Sequence, residues 1–174
     1  MADYRKIIFL DIDGVLASIP YLCTGKGFVD PEKCKLLNKL EDIGVEVVIS
    51  SSWGYDEGRT EKTLRQCGLT LPIIGYTKAL HLKFGDWVCK GNEIEEYIND
   101  KFKSGTKYGY SQYDGMPYYR KHYHAEDIDY EYVIFDDNTD FLLGQADNLI
   151  QTDEQTGITE KDIEKARKIL MREI

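Results

Sequence analysis

No apolar run in this 174-residue chain approaches the roughly 20 residues that a membrane-spanning helix needs. The first residues, MADYRKIIFLDIDGV, turn acidic after a short apolar stretch, so neither a signal peptide nor a membrane anchor is expected there, and the cytoplasm is the expected compartment. Cationic residues are also the minority. Against 31 Asp and Glu stand 22 Lys and Arg, a formal net charge of −9. That balance excludes a surface that is basic throughout, and with it broad nonspecific nucleic-acid binding, though not a local basic groove. The four cysteines, at 23, 34, 67 and 89, include no pair at the spacing of a zinc knuckle or a redox motif, and they read as small, reduced core residues. Three histidines, His81, His122 and His124, are too few and too scattered to make a metal site from imidazoles the first choice. The chain has no internal repeat and no low-complexity linker.

What is present is an ordinary globular mixture, 42% hydrophobic and 30% charged, long enough for one domain with a real core; residues 1–174 are expected to form a single catalytic domain. KIIFLDI (6–12) is a short apolar run ending in acids and predicts a buried strand. Asp30-Pro31 predicts a helix start, with Cys34, Leu36, Leu37, Leu40 and Ile43 on its apolar face and Gly44 as its stop. VEVVI (45–49) predicts a second strand running into Ser50, Ser51 and Ser52. A helix over 58–67, a short strand over 72–75, a helix over 91–102, a strand over 130–135 and a possible fifth strand over 148–151 follow. The last helix opens at Thr159, with Asp162 three residues on and Ile158 and Ile163 placed to staple it.

Apolar strands alternating with amphipathic helices predict an α/β fold: a Rossmann-like three-layer sandwich with a central parallel sheet. In such sheets ligands sit outside the carboxyl ends of the strands. Asp11, Asp13, Ser50 and Asp136-Asp137 all fall at predicted strand ends and are expected to converge on one rim. The segment 103–129 departs from the pattern. It is polar and carries six tyrosines, Tyr108, Tyr110, Tyr113, Tyr118, Tyr119 and Tyr123, with Arg120 and Lys121 among them. A connection this long is usually functional or disordered, and a small cap or loop insertion over the site is expected. Aromatics beside cations suit stacking on bases and binding of phosphates.

Asp11-Ile12-Asp13-Gly14-Val15 is the strongest local signal. Two carboxylates one residue apart, just past a buried strand, repel each other unless a cation neutralises them. Magnesium accepts such oxygen ligands and keeps waters for a phosphate substrate. Gly14 allows the backbone to turn sharply there.

Together with three later segments, this motif resembles the haloacid dehalogenase-like (HAD-like) phosphatases. Phe9-Leu10-Asp11-Ile12-Asp13-Gly14 matches their first motif and Val47-Val48-Ile49-Ser50 their second. Lys90 in Lys90-Gly91-Asn92-Glu93-Ile94 matches the third, with Lys83 as a competitor. Val133-Ile134-Phe135-Asp136-Asp137 matches the fourth. More narrowly, Ser51-Ser52-Trp53, Lys90-Gly91-x-Glu93-Ile94 and the tail Gln151-Thr152-Asp153 with Thr156-Gly157-Ile158-Thr159 resemble small HAD domains associated with prokaryotic and viral nucleic-acid repair proteins. That group tends to carry an arginine after the tryptophan. Here Gly54 stands in that position, with Arg59 or a basic residue of the insertion as a candidate substitute.

The resemblance implies a magnesium-dependent phosphomonoester hydrolase that acts through an aspartyl phosphate. It makes Asp11 the nucleophile and Asp13 the general acid and base, with Ser50 donating to the phosphoryl oxygens and Lys90 neutralising charge on the transferred group. Ser51 and Gly14 are expected to contact substrate. Mg2+ is expected on Asp11, Asp13 (through its backbone carbonyl) and Asp137. Asp136 is expected either as a further ligand or as the support that orients Lys90, and Asp140 is a lesser alternative. The expected partner is a phosphorylated small molecule or a nucleic-acid end, a nucleotide or terminal phosphate above all, with no membrane. Two other readings of the same residues are a phosphoacceptor signalling module and a phosphate-binding protein without catalysis. In receiver modules the phosphorylated aspartate ends the third strand and the acidic pair lies on the first. Here the order is reversed.

Overall fold

The structure, a computed structural model, describes residues 4–84, 88–103, 105–110, 117–122 and 128–172. At its centre is a five-stranded sheet in which every neighbouring pair is parallel. Its strands are β1 (Arg5–Leu10), β2 (Val45–Ile49), β3 (Ile73–Tyr76), β6 (Tyr130–Asp136) and β7 (Leu149–Gln151), in the spatial order β3-β2-β1-β6-β7. The helices are α1 (Ile19–Cys23), α2 (Pro31–Leu37), α3 (Glu57–Gln66), α4 (Leu80–Phe84), α5 (Lys90–Lys101) and α6 (Glu160–Leu170). A separate antiparallel pair, β4 (Gly105–Tyr110) and β5 (Pro117–His122), occupies part of the tyrosine-rich segment, with Tyr108 opposite Tyr119. Among the described residues no helix is long and apolar enough to cross a membrane.

The pleat of β1 explains the three layers. Ile8 and Leu10 point to one face, where they join Leu37 of α2, Leu64 of α3 and Ile163, Ala166 and Ile169 of α6. Ile7 and Phe9 point to the other, against Ile94, Tyr97 and Ile98 of α5. Both faces of the strand are covered, so it reads as an unbroken apolar run rather than an alternating one. This is the Rossmann-like α/β arrangement expected from the sequence.

The helix caps follow the local sequence. Asp30 accepts a hydrogen bond from the Glu32 N–H at 2.9 Å and Pro31 takes the first helical position, a cap worth about 1 kcal/mol. At α6 the Asp162 carboxylate accepts from the Thr159 N–H at 2.8 Å and from its hydroxyl at 2.7 Å. The helix expected from 31 to 43 differs in its second half, which tightens into a 3-10 helix over Asn38–Ile43 before Gly44 turns left-handed. There the Asn38 side chain donates to the Gly68 carbonyl and accepts from the Thr70 N–H, tying this turn to the α3–β3 connection. The four cysteines are free, Cys34 buried and Cys23 exposed.

Candidate active site

The register of the central strands brings the site together. Leu10 is level with Ile49 on one side and Phe135 on the other. The ladder continues one step past the apolar runs: the Ser50 N–H donates to the Leu10 carbonyl at 2.8 Å, and the Asp11 N–H to the Phe135 carbonyl at 2.9 Å. Ser50, Asp11 and Asp136 therefore stand in one row across three strand ends. β1 lies between β2, reached by a crossover to one side, and β6, on the other. This is the switch point at which open α/β sheets bind ligands.

Asp11 is buried and both of its carboxylate oxygens are engaged. One accepts from the Ile12 N–H at 2.7 Å, the other from Lys90 Nζ at 2.7 Å. The same ammonium donates to Asp136 at 2.5 Å. Burial by itself lowers the pKa of Lys90. The charges of Asp11 and Asp136 and the hydrogen bonds to both outweigh that and raise it, so the residue is a fixed cation. Asp136, fully buried, is pushed up to about 6 by burial and by the charge of Asp11, against the lowering effect of Lys90 and the Asn138 N–H.

Asp137 is half-buried, and its carboxyl is also raised, by burial first and then by Asp11. Its oxygens meet the Asn138 side-chain amide at 3.0 Å. Asp11, Asp136 and Asp137 each offer an oxygen such that the three lie within 4.8 Å of one another, the one such acidic group among the described residues. An all-oxygen donor set suits a hard divalent cation such as magnesium. Gly14 makes room for the Asp137 side chain: a Cβ there would come within 2.4 Å of Asp137 Cγ. The end of β7 ties the two loops, as Thr152 Oγ1 donates to the Gly14 carbonyl at 2.9 Å and Gln151 Nε2 to the Asp137 carbonyl at 3.1 Å.

Asp13 lies outside that acidic group. Its carboxylate accepts from Trp53 Nε1 at 3.1 Å. Although the residue as a whole is exposed, desolvation of the carboxyl raises its pKa; the Trp53 hydrogen bond opposes this, and the charges of Asp11 and Asp137 add to it. The Ser50 hydroxyl is buried and has no hydrogen-bond partner among the described residues. A buried donor left unpaired costs stability unless a ligand completes it. Ser51 accepts from the Trp53 N–H at 3.4 Å, and it lines, with Asp11, Asp13, Lys90 and Asp137, a cavity of about 880 Å³. Asp140 serves the start of α5 instead of the acidic group: its carboxylate accepts from the Lys90 N–H at 3.2 Å and its carbonyl from the Gly91 N–H at 3.1 Å. Arg59 lines a neighbouring groove rather than this cavity.

Sequence reasoning missed several residues. Gly91 packs so closely that a Cβ would come within 2.4 Å of the Leu142 nitrogen, and buried Gln145 donates to its carbonyl at 3.0 Å. His81 Nδ1 lies 2.9 Å from buried Glu93, and both line the cavity. Only the position of Glu93 one turn after Lys90 hinted at the second pair. Tyr113, Tyr123 and His124 lie outside the described residues, as does the side chain of Lys83.

Residues 7–110, more than half of the chain, match the family model described as the HAD domain in Swiss Army Knife RNA repair proteins. The chain belongs to this family. The matched stretch of the HAD domain holds Asp11, Asp13, Ser50 and Lys90, while Asp136 and Asp137 enter through the fold. Membership supports a phosphatase-type hydrolase in the setting of RNA repair. No curated protein and no solved structure matches this HAD domain.

Proposed function

We propose that the protein is a magnesium-dependent phosphomonoesterase that forms an aspartyl phosphate on Asp11, with a nucleotide or a nucleic-acid terminal phosphate as substrate. The observation that carries this reading is the Lys90 ammonium bridging Asp11 and Asp136 beside a third carboxylate, Asp137. A carboxylate held by a lysine and a backbone amide, with both oxygens directed, is a preorganised nucleophile.

The metal would be held by Asp11, Asp137, the Asp13 carbonyl and Asp136, and when bound it screens the repulsion between the carboxylate and an incoming phosphate. The chain's own residues supply the rest. An Asp11 oxygen forms a bond to phosphorus as the bond to the leaving oxygen breaks, and Asp13 gives that oxygen its proton. Asp13 then takes a proton from water as the water oxygen bonds to phosphorus, and the phosphorus–Asp11 bond breaks to release inorganic phosphate. The raised pKa of Asp13 suits a group that alternates between acid and base. Lys90 offsets charge on the transferred group, and the unpaired Ser50 hydroxyl has a phosphoryl oxygen as its natural acceptor.

The test is phosphate release from p-nitrophenyl phosphate with and without magnesium, in wild type and in Asp11→Asn. Turnover that continues past one equivalent per protein, needs magnesium and falls about a thousand-fold or more in the near-isosteric variant supports the reading. Wild-type turnover retained by Asp11→Asn overturns it. One equivalent of p-nitrophenol released with no phosphate set free, the phosphoryl group staying on the protein, points to a phosphoacceptor instead.

A further inference from the structure

Beside the catalytic cavity lies a second groove of about 310 Å³, whose lining includes Phe28, Ser52, Trp53, Tyr55, Arg59 and Thr60. The two spaces are neighbours: Ser52 and Tyr55 line both. Phe28 is 66% exposed and Tyr55 61% exposed, so two large rings are presented to solvent at the mouth of one groove. Trp53 stands between them and the chemistry. Its ring meets Phe28 edge-on at 6.4 Å and 70°, its indole N–H is spent on Asp13, and its carbonyl accepts from Thr60 Oγ1 at 2.6 Å. The ring is thus tied to the proposed acid and base through its N–H, and the Trp53 backbone is tied to α3.

We infer that Phe28, Trp53 and Tyr55 form a stacking shelf for the base of the nucleotide whose phosphate is hydrolysed at Asp11; this rests on the proposed phosphatase reading. The groove is mainly apolar and aromatic, its charged lining residues being Arg59 and Asp56, and the cavity beside it is rich in carboxylates. The chain as a whole is strongly acidic. These features do not offer a track for many phosphates. They offer one phosphate position and, beside it, flat apolar surface. A nucleotide carries a single phosphate and a flat aromatic ring on one short scaffold, which matches that pair. Recognition by stacking tolerates any base, because every base has a π-face, and it depends on salt far less than recognition through a row of phosphates.

The experiment compares adenosine 5′-monophosphate with ribose 5-phosphate, which lacks the base, in wild type, Phe28→Ala and Tyr55→Ala. Wild type should prefer the nucleotide by about ten-fold in kcat/KM, expressed in KM, with the other three nucleotides within a few-fold of it. Each variant should lose most of that preference, and Phe28→Ala, outside the catalytic cavity, should keep kcat on ribose 5-phosphate. Equal kcat/KM for the two substrates in wild type, or full preference in both variants, overturns the shelf. If wild type hydrolyses neither, the phosphatase reading fails and binding decides the shelf separately: the nucleotide should quench tryptophan fluorescence and ribose 5-phosphate should not, with the quench lost in Phe28→Ala. Identical responses to both ligands overturn it. A 5′-phosphorylated trinucleotide run in parallel tells the source of the base: turnover at least equal to the mononucleotide assigns a strand end, and poorer turnover assigns a free nucleotide, both on the same shelf.

Discussion

Gly14 and Asp137 stand so close that a Cβ on Gly14 would lie 2.4 Å from Cγ of Asp137, nearer than any real contact of that kind. The glycine also has φ +71°, a conformation that costs an L-residue about 1 kcal/mol. Gly14→Ala therefore adds backbone strain and pushes the Asp137 carboxylate away from Asp11 and Asp136. The expected outcome is a magnesium half-saturation about ten-fold higher, with near-normal turnover at saturating metal. A magnesium titration of phosphate release checks it. An unchanged curve would place the cation away from Asp137.

Lys90 offers a sharper test because it faces two carboxylates at once. Lys90→Met keeps the chain length and removes the charge, leaving Asp11 and Asp136 buried side by side. Turnover should fall about 100- to 1000-fold. In urea unfolding without metal, stability should drop by about 3 kcal/mol, the scale of an uncompensated buried charge, and magnesium should return part of it. The loss should depend on pH. Asp136 titrates near 6 with the lysine in place, above the ordinary carboxylate range, so the folded state is penalised above that pH and relieved below it. Without the lysine the Asp136 pKa rises further, so the difference between variant and wild type should shrink as pH falls toward 6 and be largely gone below it, where the carboxyl is neutral in both proteins. A difference that grows on acidification would mean that Lys90 does not neutralise this carboxyl.

The parts of the site that were legible in the sequence are those where a local pattern reports a local structure. Strands β1 and β6 are apolar runs that stop at acids, and the stop is the strand end, so Asp11 and Asp136 could be placed on a rim before any register was known. The opening of α6 is written in Thr159 and Asp162, three residues apart. The contacts that were not legible join segments far apart in the chain. Nothing around Trp53 says that its indole N–H reaches Asp13, 40 residues earlier. Nothing around Asp140 distinguishes a metal ligand from the cap of α5. Glu93 entered only as part of the Lys90 motif, and nothing around it says that it is buried against His81. The antiparallel pair of β4 and β5 is an intermediate case. Asp114-Gly115 between tyrosine-rich flanks is, as sequence, a turn signal of the kind that joins paired strands, while the length and polarity of the segment suit a cap or loop insertion.

Gly91 looks like an ordinary helix residue and is a spacer. With no side chain it lets the first turn of α5 dock on the chain after β6, where its N–H meets the Asp140 carbonyl and its carbonyl meets Gln145. A Cβ would strike the Leu142 backbone at 2.4 Å, which has no side-chain freedom to absorb it. Gly91→Ala should shift the start of α5 and with it Lys90, at about 1–3 kcal/mol in stability. A displacement of the order of an ångström at a charge-stabilising group is enough for a kcat loss of about 100-fold. Steady-state kinetics beside urea unfolding would check this. Normal kcat in a destabilised protein would show that α5 carries Lys90 with slack.

Desolvation raises the pKa of Asp13, and the Trp53 hydrogen bond opposes it by stabilising the charged carboxylate. Trp53→Phe removes the donor and keeps an aromatic ring. The Asp13 pKa should then rise. In kcat/KM, which reports the first phosphoryl transfer, Asp13 acts as an acid and must hold its proton, so a higher pKa moves the alkaline limb of the profile to higher pH. The substrate determines how visible the shift is. An alkyl phosphate has a poor leaving group that requires the proton, whereas p-nitrophenolate departs without full protonation. The alkaline limb should therefore move for an alkyl phosphate and stay nearly in place for p-nitrophenyl phosphate. Limbs that move equally for both would trace the shift to a group other than the leaving-group acid, and limbs that do not move at all would remove Trp53 from control of Asp13.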